Sequence, residues 1–129
     1  MQDQYNLMER NPFESEQQDV LKKNGLSALP FYGLARGFLT GKYRKGKTVE
    51  SIRANGVNTD YANNRGWAMI EKLDQIAKDK NTSIAAVALA WLRAQPTVSA
   101  PIASATCESQ LRELMPIIKL SQTQLETLS

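Results

Sequence analysis

Polar and apolar residues alternate from the start of the chain, in QDQYNLM, as in a short strand beginning almost at residue 1. The pattern then changes. In NPFESEQQDVLKKNG, Asn11 stands as a cap and Pro12 at the first helical position, with acidic residues in the first turn. Lys22 and Lys23 fall in the last turn and Gly25 stops the helix. LSALPFY, residues 26–32, predicts a buried strand that runs into the glycine-rich stretch GLARGFLTGKY. Residues 44–66 carry Gly46, Asn55, Gly56, Asn58, Asn63 and Asn64 with little hydrophobic period, and read as a long loop.

Clear helical periodicity follows. Ile70, Leu73, Ile76 and Ala77 predict a helix over 67–79, and NTS caps a second one over 83–94 with Val87, Leu89, Trp91 and Leu92. Trp91 reads as a core anchor. PTVSAPIAS gives a third strand near 97–103, and Ser104 and Thr106 precede a helix over 108–118 with Leu111, Leu114 and Met115 on one face. Pro116 disturbs its end; Ser121 caps a last helix whose apolar side is Leu125 and Leu128. Strands alternating with helices imply an α/β class with parallel pairing through right-handed crossovers. Three parallel strands leave two open edges, so the pattern reads as part of something larger.

The glycine-rich stretch after a strand, with Arg36 and Lys42 nearby, fits a phosphate cradle or a tightly packed loop. Lys42, Arg44, Lys45 and Lys47 form the densest basic cluster in a chain of net charge +3. Only Tyr43 interleaves with them and no recognition motif accompanies them, so no nucleic-acid partner is expected. The cluster reads as a solvated loop, with a phosphate-bearing small ligand as the alternative. There are no histidines and one cysteine, Cys107. Imidazole-dependent catalysis, histidine metal sites and an internal disulfide are excluded, and no metal is expected. The longest apolar stretch, near 84–92, is too short to span a bilayer, and no signal peptide opens the sequence. The expectation is one globular domain over 1–129, cytoplasmic and without a membrane partner.

Five blocks, QYNLMER, LPFYGLARGFLTGKYR, NNRGW, VALAWLRAQPTVSAPIASAT and SQLREL, resemble the carboxy-terminal half of an aldo-keto reductase, in that family's order. The resemblance implies a partial (β/α)8 TIM barrel, with these strands as the sixth to eighth and the site at their carboxyl ends. It implies NADP(H) as cofactor and a small carbonyl compound as substrate of the complete protein. In the family, the loop after the seventh strand wraps the cofactor's pyrophosphate. Phe31 matches an aromatic residue stacked on the nicotinamide, with Tyr32 beside it. Leu34, Arg36, Gly37 and Leu39 would offer backbone groups near the phosphates, and Gly41 and Lys42 would complete that wall. Gln2 matches a glutamine that holds the carboxamide. Ser104, Thr106, Gln110 and Glu113 would surround the adenosine 2′-phosphate. Thr106 stands where many relatives carry arginine, Ser104 where many carry glycine, and Leu114 where many carry an adenine-contacting asparagine. The resemblance places the family's catalytic tyrosine, lysine, aspartate and histidine in the missing half, so no catalytic residue is assigned here. The isolated chain is expected to be inactive and to associate with itself or with an amino-terminal half. The alternative is a truncated, non-catalytic homologue serving as a binding or assembly module.

Overall fold

The computed structural model describes residues 1–50 and 53–129; Ser51 and Ile52, inside the predicted loop 44–66, lie outside the described residues. A π-helical turn, Phe13–Gln17, runs into α1, Gln18–Lys23. After it come a 3-10 segment, Ala35–Thr40, then α2, Ala54–Tyr61, α3, Asn64–Lys80, α4, Ile84–Arg93, α5, Glu108–Leu114, and α6, Gln122–Leu128.

The helices with strong periodicity form as their spacing predicts. Ile70, Leu73, Ile76 and Ala77 of α3 are buried, and Asn63 Oδ1 accepts the Gly66 N–H at 2.9 Å to cap it. All residues from Ile84 to Leu92 in α4 are buried. Ser83 caps α4 by accepting the Ala86 N–H at 3.1 Å, and its own hydroxyl donates to the Glu113 carbonyl at 2.7 Å. Ser121 and Gln124 form a reciprocal capping box on α6. The first helix begins earlier than predicted: Glu14 N–H donates to the Arg10 carbonyl at 3.0 Å, so Asn11 is already inside the first turn rather than capping it. The helix predicted over 108–118 ends at Leu114, because Pro116 has no N–H to continue the ladder.

The predicted strands are reduced to three extended segments joined by isolated parallel bridges, Gln4 to Phe31 and Ala28 to Val98. Backbone bonds from Phe31 N to Asp3 O (3.0 Å), Ala28 N to Thr97 O (2.7 Å), Ser99 N to Ala28 O (2.9 Å) and Ile102 N to Pro30 O (2.8 Å) place the second segment between the other two. Continuous strands are absent among the described residues. Pro30, Pro96 and Pro101 cannot donate, which shortens any ladder through them. The predicted buried strand 26–32 is covered only in part: Ala28 and Pro30 are buried, Leu29 between them is 40% exposed on the other face, and Leu26, ahead of the paired stretch, is 58% exposed.

Helix α2 lies inside the stretch predicted as loop. Its sequence, ANGVNTDY, is poor in helix formers. Burial of Val57 and Tyr61 against the 3-10 segment stabilises it instead. At the junction to α3 there is no room for a side chain: a Cβ on Gly66 would lie 1.9 Å from the Tyr61 carbonyl oxygen. Gly66→Ala is therefore expected to destabilise the chain by about 2 kcal/mol or more, since backbone must move. A urea melt reads this, and an unchanged midpoint would contradict the packing.

Arg44, just after the glycine-rich stretch, is tied to α3 by Asp74, with contacts of 2.5 and 3.1 Å. The Arg44 hydrogen bonds hold the Asp74 carboxyl below its ordinary range. A depressed carboxyl contributes stability that is present above its unfolded value, about 3.9, and is lost as pH falls through the lower folded value. Both side chains are about one-third exposed, so screening limits the pair to about 1 kcal/mol or less. Asp74→Asn should cost that amount at pH 6 and progressively less as pH falls below the ordinary carboxylate range. Paired denaturation curves across this range measure it, and a pH-independent difference would refute the linkage.

Candidate cofactor site

The glycine-rich stretch answers to two demands, backbone direction and close packing. Ala35 (φ 49°), Arg36 (φ 56°) and Gly37 (φ 97°) are left-handed in succession, and Gly41 (φ 80°) is left-handed at the end of the 3-10 segment. The Gly37 and Leu39 N–H groups both donate to the Leu34 carbonyl at 3.0 Å, and Thr40 Oγ1 donates to the Gly37 carbonyl at 2.7 Å. A Cβ on Gly33 would meet Leu92 Cδ1 at 2.9 Å, and one on Gly41 would meet Ile84 Cδ1 at 2.8 Å. The two ends of the loop thus rest on the two ends of α4. A Cβ on Gly37 would lie 3.1 Å from Lys42 Cε and 3.4 Å from its ammonium nitrogen, so the bare backbone there leaves room for a cation. Lys42 is exposed, with its ammonium 5.3 Å from the centre of the Tyr43 ring. Phe38, fully buried among Tyr43, Tyr61 and Trp67, anchors the loop.

Eight of the sequence-predicted residues, Phe31, Tyr32, Leu34, Arg36, Gly37, Leu39, Gly41 and Lys42, therefore share one compact loop at the end of the second extended segment. Leu34 and Leu39 are buried, and the Gly37 and Leu39 N–H groups expected near the phosphates are both spent on the Leu34 carbonyl inside the loop. Gln2 is exposed on the first segment, next to Asp3, whose carbonyl accepts the Phe31 N–H. Ser104, Thr106, Gln110 and Glu113 follow the third segment. Thr106 donates to Gln110 Oε1 through its N–H and its hydroxyl, both at 2.8 Å, which closes the turn before α5. Ser104, Thr106 and Glu113 are exposed. The two groups approach each other where the Cβ position of Gly33 lies 3.8 Å from the Ile102 carbonyl oxygen.

A polar cleft of about 360 Å³ opens beside the loop, lined by Gln4, Glu9, Tyr32, Arg36, Asp60 and Tyr61. Arg36 forms an ion pair with Asp60 and lies 5.2 Å from the Tyr61 ring centre. The Asp60 and Tyr61 hydrogen bonds raise the Arg36 pKa further, so its charge is permanent. Tyr61 donates to Glu9 Oε1 at 3.2 Å, and burial pushes its phenol up. Burial, followed by the bond to Glu14, pushes the Tyr5 phenol up further. Both phenols are thus weak acids here. Sequence reasoning missed Arg53, whose guanidinium lies 5.8 Å over the Tyr32 ring, because it sits in the stretch taken as featureless loop. It also missed Asp60 and Tyr61, for the same reason.

The sequence model of the aldo/keto reductase family matches residues 1–129. The chain is 32% identical over 122 residues to a probable voltage-gated potassium channel subunit beta of Arabidopsis thaliana, covering 91% of this chain and 37% of that protein. It is 30% identical over 118 residues to an L-glyceraldehyde 3-phosphate reductase of Escherichia coli K12, covering 87% of this chain and 34% of that one. Among solved structures, a glycerol dehydrogenase from Gluconobacter oxydans superposes with a TM-score of 0.79 at 22% identity, over 98% of this chain and 40% of that chain. A thermostable aldo-keto reductase in complex with the inhibitor epalrestat superposes with a TM-score of 0.68 at 26% identity, over 98% of this chain and 37% of that one. The chain thus spans little more than a third of the length of the two sequence relatives. With its whole length matched by the family model and its fold shared with solved members, the chain belongs to the aldo/keto reductase family.

Proposed function

We infer that this chain is the NADP(H)-binding, carboxy-terminal part of a reductase of aldehydes or ketones, and that its segments are the last three strands of an incomplete barrel. The observation that carries the reading is the gap above Gly37 filled by the Lys42 ammonium, on a left-handed backbone at the carboxyl end of parallel segments. Bare backbone beside a cation suits a diphosphate. Phe31, edge-on to Tyr32 with ring centres 5.2 Å apart, offers a ring to the nicotinamide. The cofactor supplies the hydride. The residues here bind and orient it, and a tyrosine from the other part of the complete protein would protonate the carbonyl oxygen. Leu29, Ile102, Leu111 and Met115 are between 40% and 66% exposed, apolar surface that association with such a part, or with a second copy, would cover.

Lys42→Ala should weaken NADPH and NADH alike by roughly one to two powers of ten, the worth of a charge-assisted contact to the diphosphate. Thr106→Ala should weaken NADPH and spare NADH, because only NADPH carries the 2′-phosphate, and Thr106→Arg should sharpen the preference for NADPH. Fluorescence titration with the chain joined to the amino-terminal part of a relative measures all three. Equal losses for both cofactors in Thr106→Ala would show the 2′-phosphate to be elsewhere.

A second reading, a non-catalytic binding or assembly module, is favoured by the likeness to proteins named as probable channel beta subunits. On either reading the chain alone should not reduce an aldehyde panel with NADPH, and light scattering on dilution should show an associating species. Turnover above a no-protein blank would overturn the assignment of the catalytic acid to the missing part. A strictly monomeric, well-folded chain would overturn the association. Reductase activity on adding the amino-terminal part selects the enzyme reading; cofactor binding without activity selects the module.

A further inference from the structure

Asn6 is the one polar residue fully buried among the described residues, with no exposed surface. Its Oδ1 accepts the N–H groups of Met8 (2.8 Å) and Glu9 (3.0 Å), and reciprocal backbone bonds of 3.2 Å between Asn6 and Glu9 close the same turn. Its Nδ2 donates to the Tyr32 carbonyl at 2.8 Å, across 26 positions of sequence. The partners fix which end of the amide is which: two N–H groups require the oxygen, and a carbonyl requires the nitrogen. Asparagine meets these demands together. Aspartate offers no donor, and serine is too short to span the turn and the carbonyl.

The carbonyl that Asn6 grips belongs to a residue in a costly conformation. Tyr32 has φ 53°, a region that aromatic residues rarely enter and that persists only where the surroundings enforce it. The same carbonyl accepts the Ala35 N–H at 2.9 Å, the first bond of the left-handed run that leads to Gly37. Tyr32 also sets the edge-on contact with Phe31 at 77° and carries Arg53 over its ring. We propose that Asn6 is a positioning residue for the cofactor loop: its side-chain amide clamps Tyr32 in the left-handed conformation and so fixes Phe31 and the turn after it. The proposal rests on the reading of Phe31–Lys42 as the nicotinamide and diphosphate side of the site. It assigns Asn6 no contact with cofactor or substrate.

Hydrogen exchange by mass spectrometry on the full chain tests the clamp without any ligand. In Asn6→Asp, and in Asn6→Ser as a milder change, amides within residues 31–41 should exchange about tenfold faster or more, as loss of one buried hydrogen bond allows. Amides of α3 and α4 should stay within about twofold of the parent chain, taken as the margin of such a comparison. Unchanged exchange over 31–41 in both variants overturns the proposal, as does an equal loss of protection throughout the chain in both. A second readout separates the two halves of the cofactor. Asn6→Ser should weaken NADPH about tenfold and leave adenosine 2′-phosphate unaffected, since the clamp acts on the nicotinamide and diphosphate side. Equal losses for both ligands overturn it. Both ligands are titrated against the chain joined to the amino-terminal part of a relative; failure of that joined protein to bind either one counts against the proposed cofactor function, and the exchange data then decide the role of Asn6 alone.

Discussion

Burial of α4 on every side is the constraint on which the rest of the structure depends. A helix that is apolar all round cannot lie on a surface; its neighbours must enclose it. On one side α3 and α5 pack against it, with Ser83 joining its amino end to the end of α5. On another, Trp91 meets Tyr5 with ring centres 5.4 Å apart, and Tyr5 stacks on Phe13 at 4.3 Å. Arg10 lies 5.3 Å from the Trp91 ring centre and closes an ion pair with Glu14 at 2.8 Å. Burial raises the Glu14 carboxyl, but the hydrogen bonds from Arg10 and Tyr5 outweigh it and hold the group below its ordinary value. The first extended segment and the first helix are fastened to α4 in this way.

The glycine-rich loop is the third neighbour. Ile84 at one end of α4 and Leu92 at the other come within 3 Å of where side chains on Gly41 and Gly33 would begin. The loop can lie that close only because those positions are bare. Its course over the helix then requires left-handed turns, which fall on Gly37 and Gly41 and also on Ala35, Arg36 and Tyr32. The non-glycine residues in that region need external restraint. Arg36 receives it from Asp60 and Tyr61, and Tyr32 from Asn6. The site's shape is therefore held from three directions: α4 beneath it, α2 beside it, and the turn after the first segment.

The basic cluster of the sequence separates along the same lines. Arg44 is occupied by Asp74 of α3, Lys42 lies over Gly37 and Tyr43, and Lys45 and Lys47 remain exposed. Four neighbouring cations thus stand in three different surroundings.

The sequence by itself determined the helices whose apolar residues repeat at helical spacing. Ile70, Leu73, Ile76 and Ala77, the run from Ile84 to Leu92, and the caps Ser83 and Ser121 are local signals with local consequences. It also determined the family, since five blocks recur in order, and with it the stretch from Phe31 to Lys42 as the place to look. Tertiary structure decided what depends on distant partners. Helix α2 forms from a sequence poor in helix formers because Val57 and Tyr61 are buried against the 3-10 segment. The three predicted strands shrink to isolated bridges because Pro30, Pro96 and Pro101 withhold donors and one face of the second segment stays uncovered. Arg36, Asp60 and Tyr61 meet across 24 or 25 positions, and Asn6 reaches Tyr32 across 26, separations at which no pattern of polar and apolar residues carries information. Periodicity reports which face of an element is buried; only the folded chain determines what it is buried against.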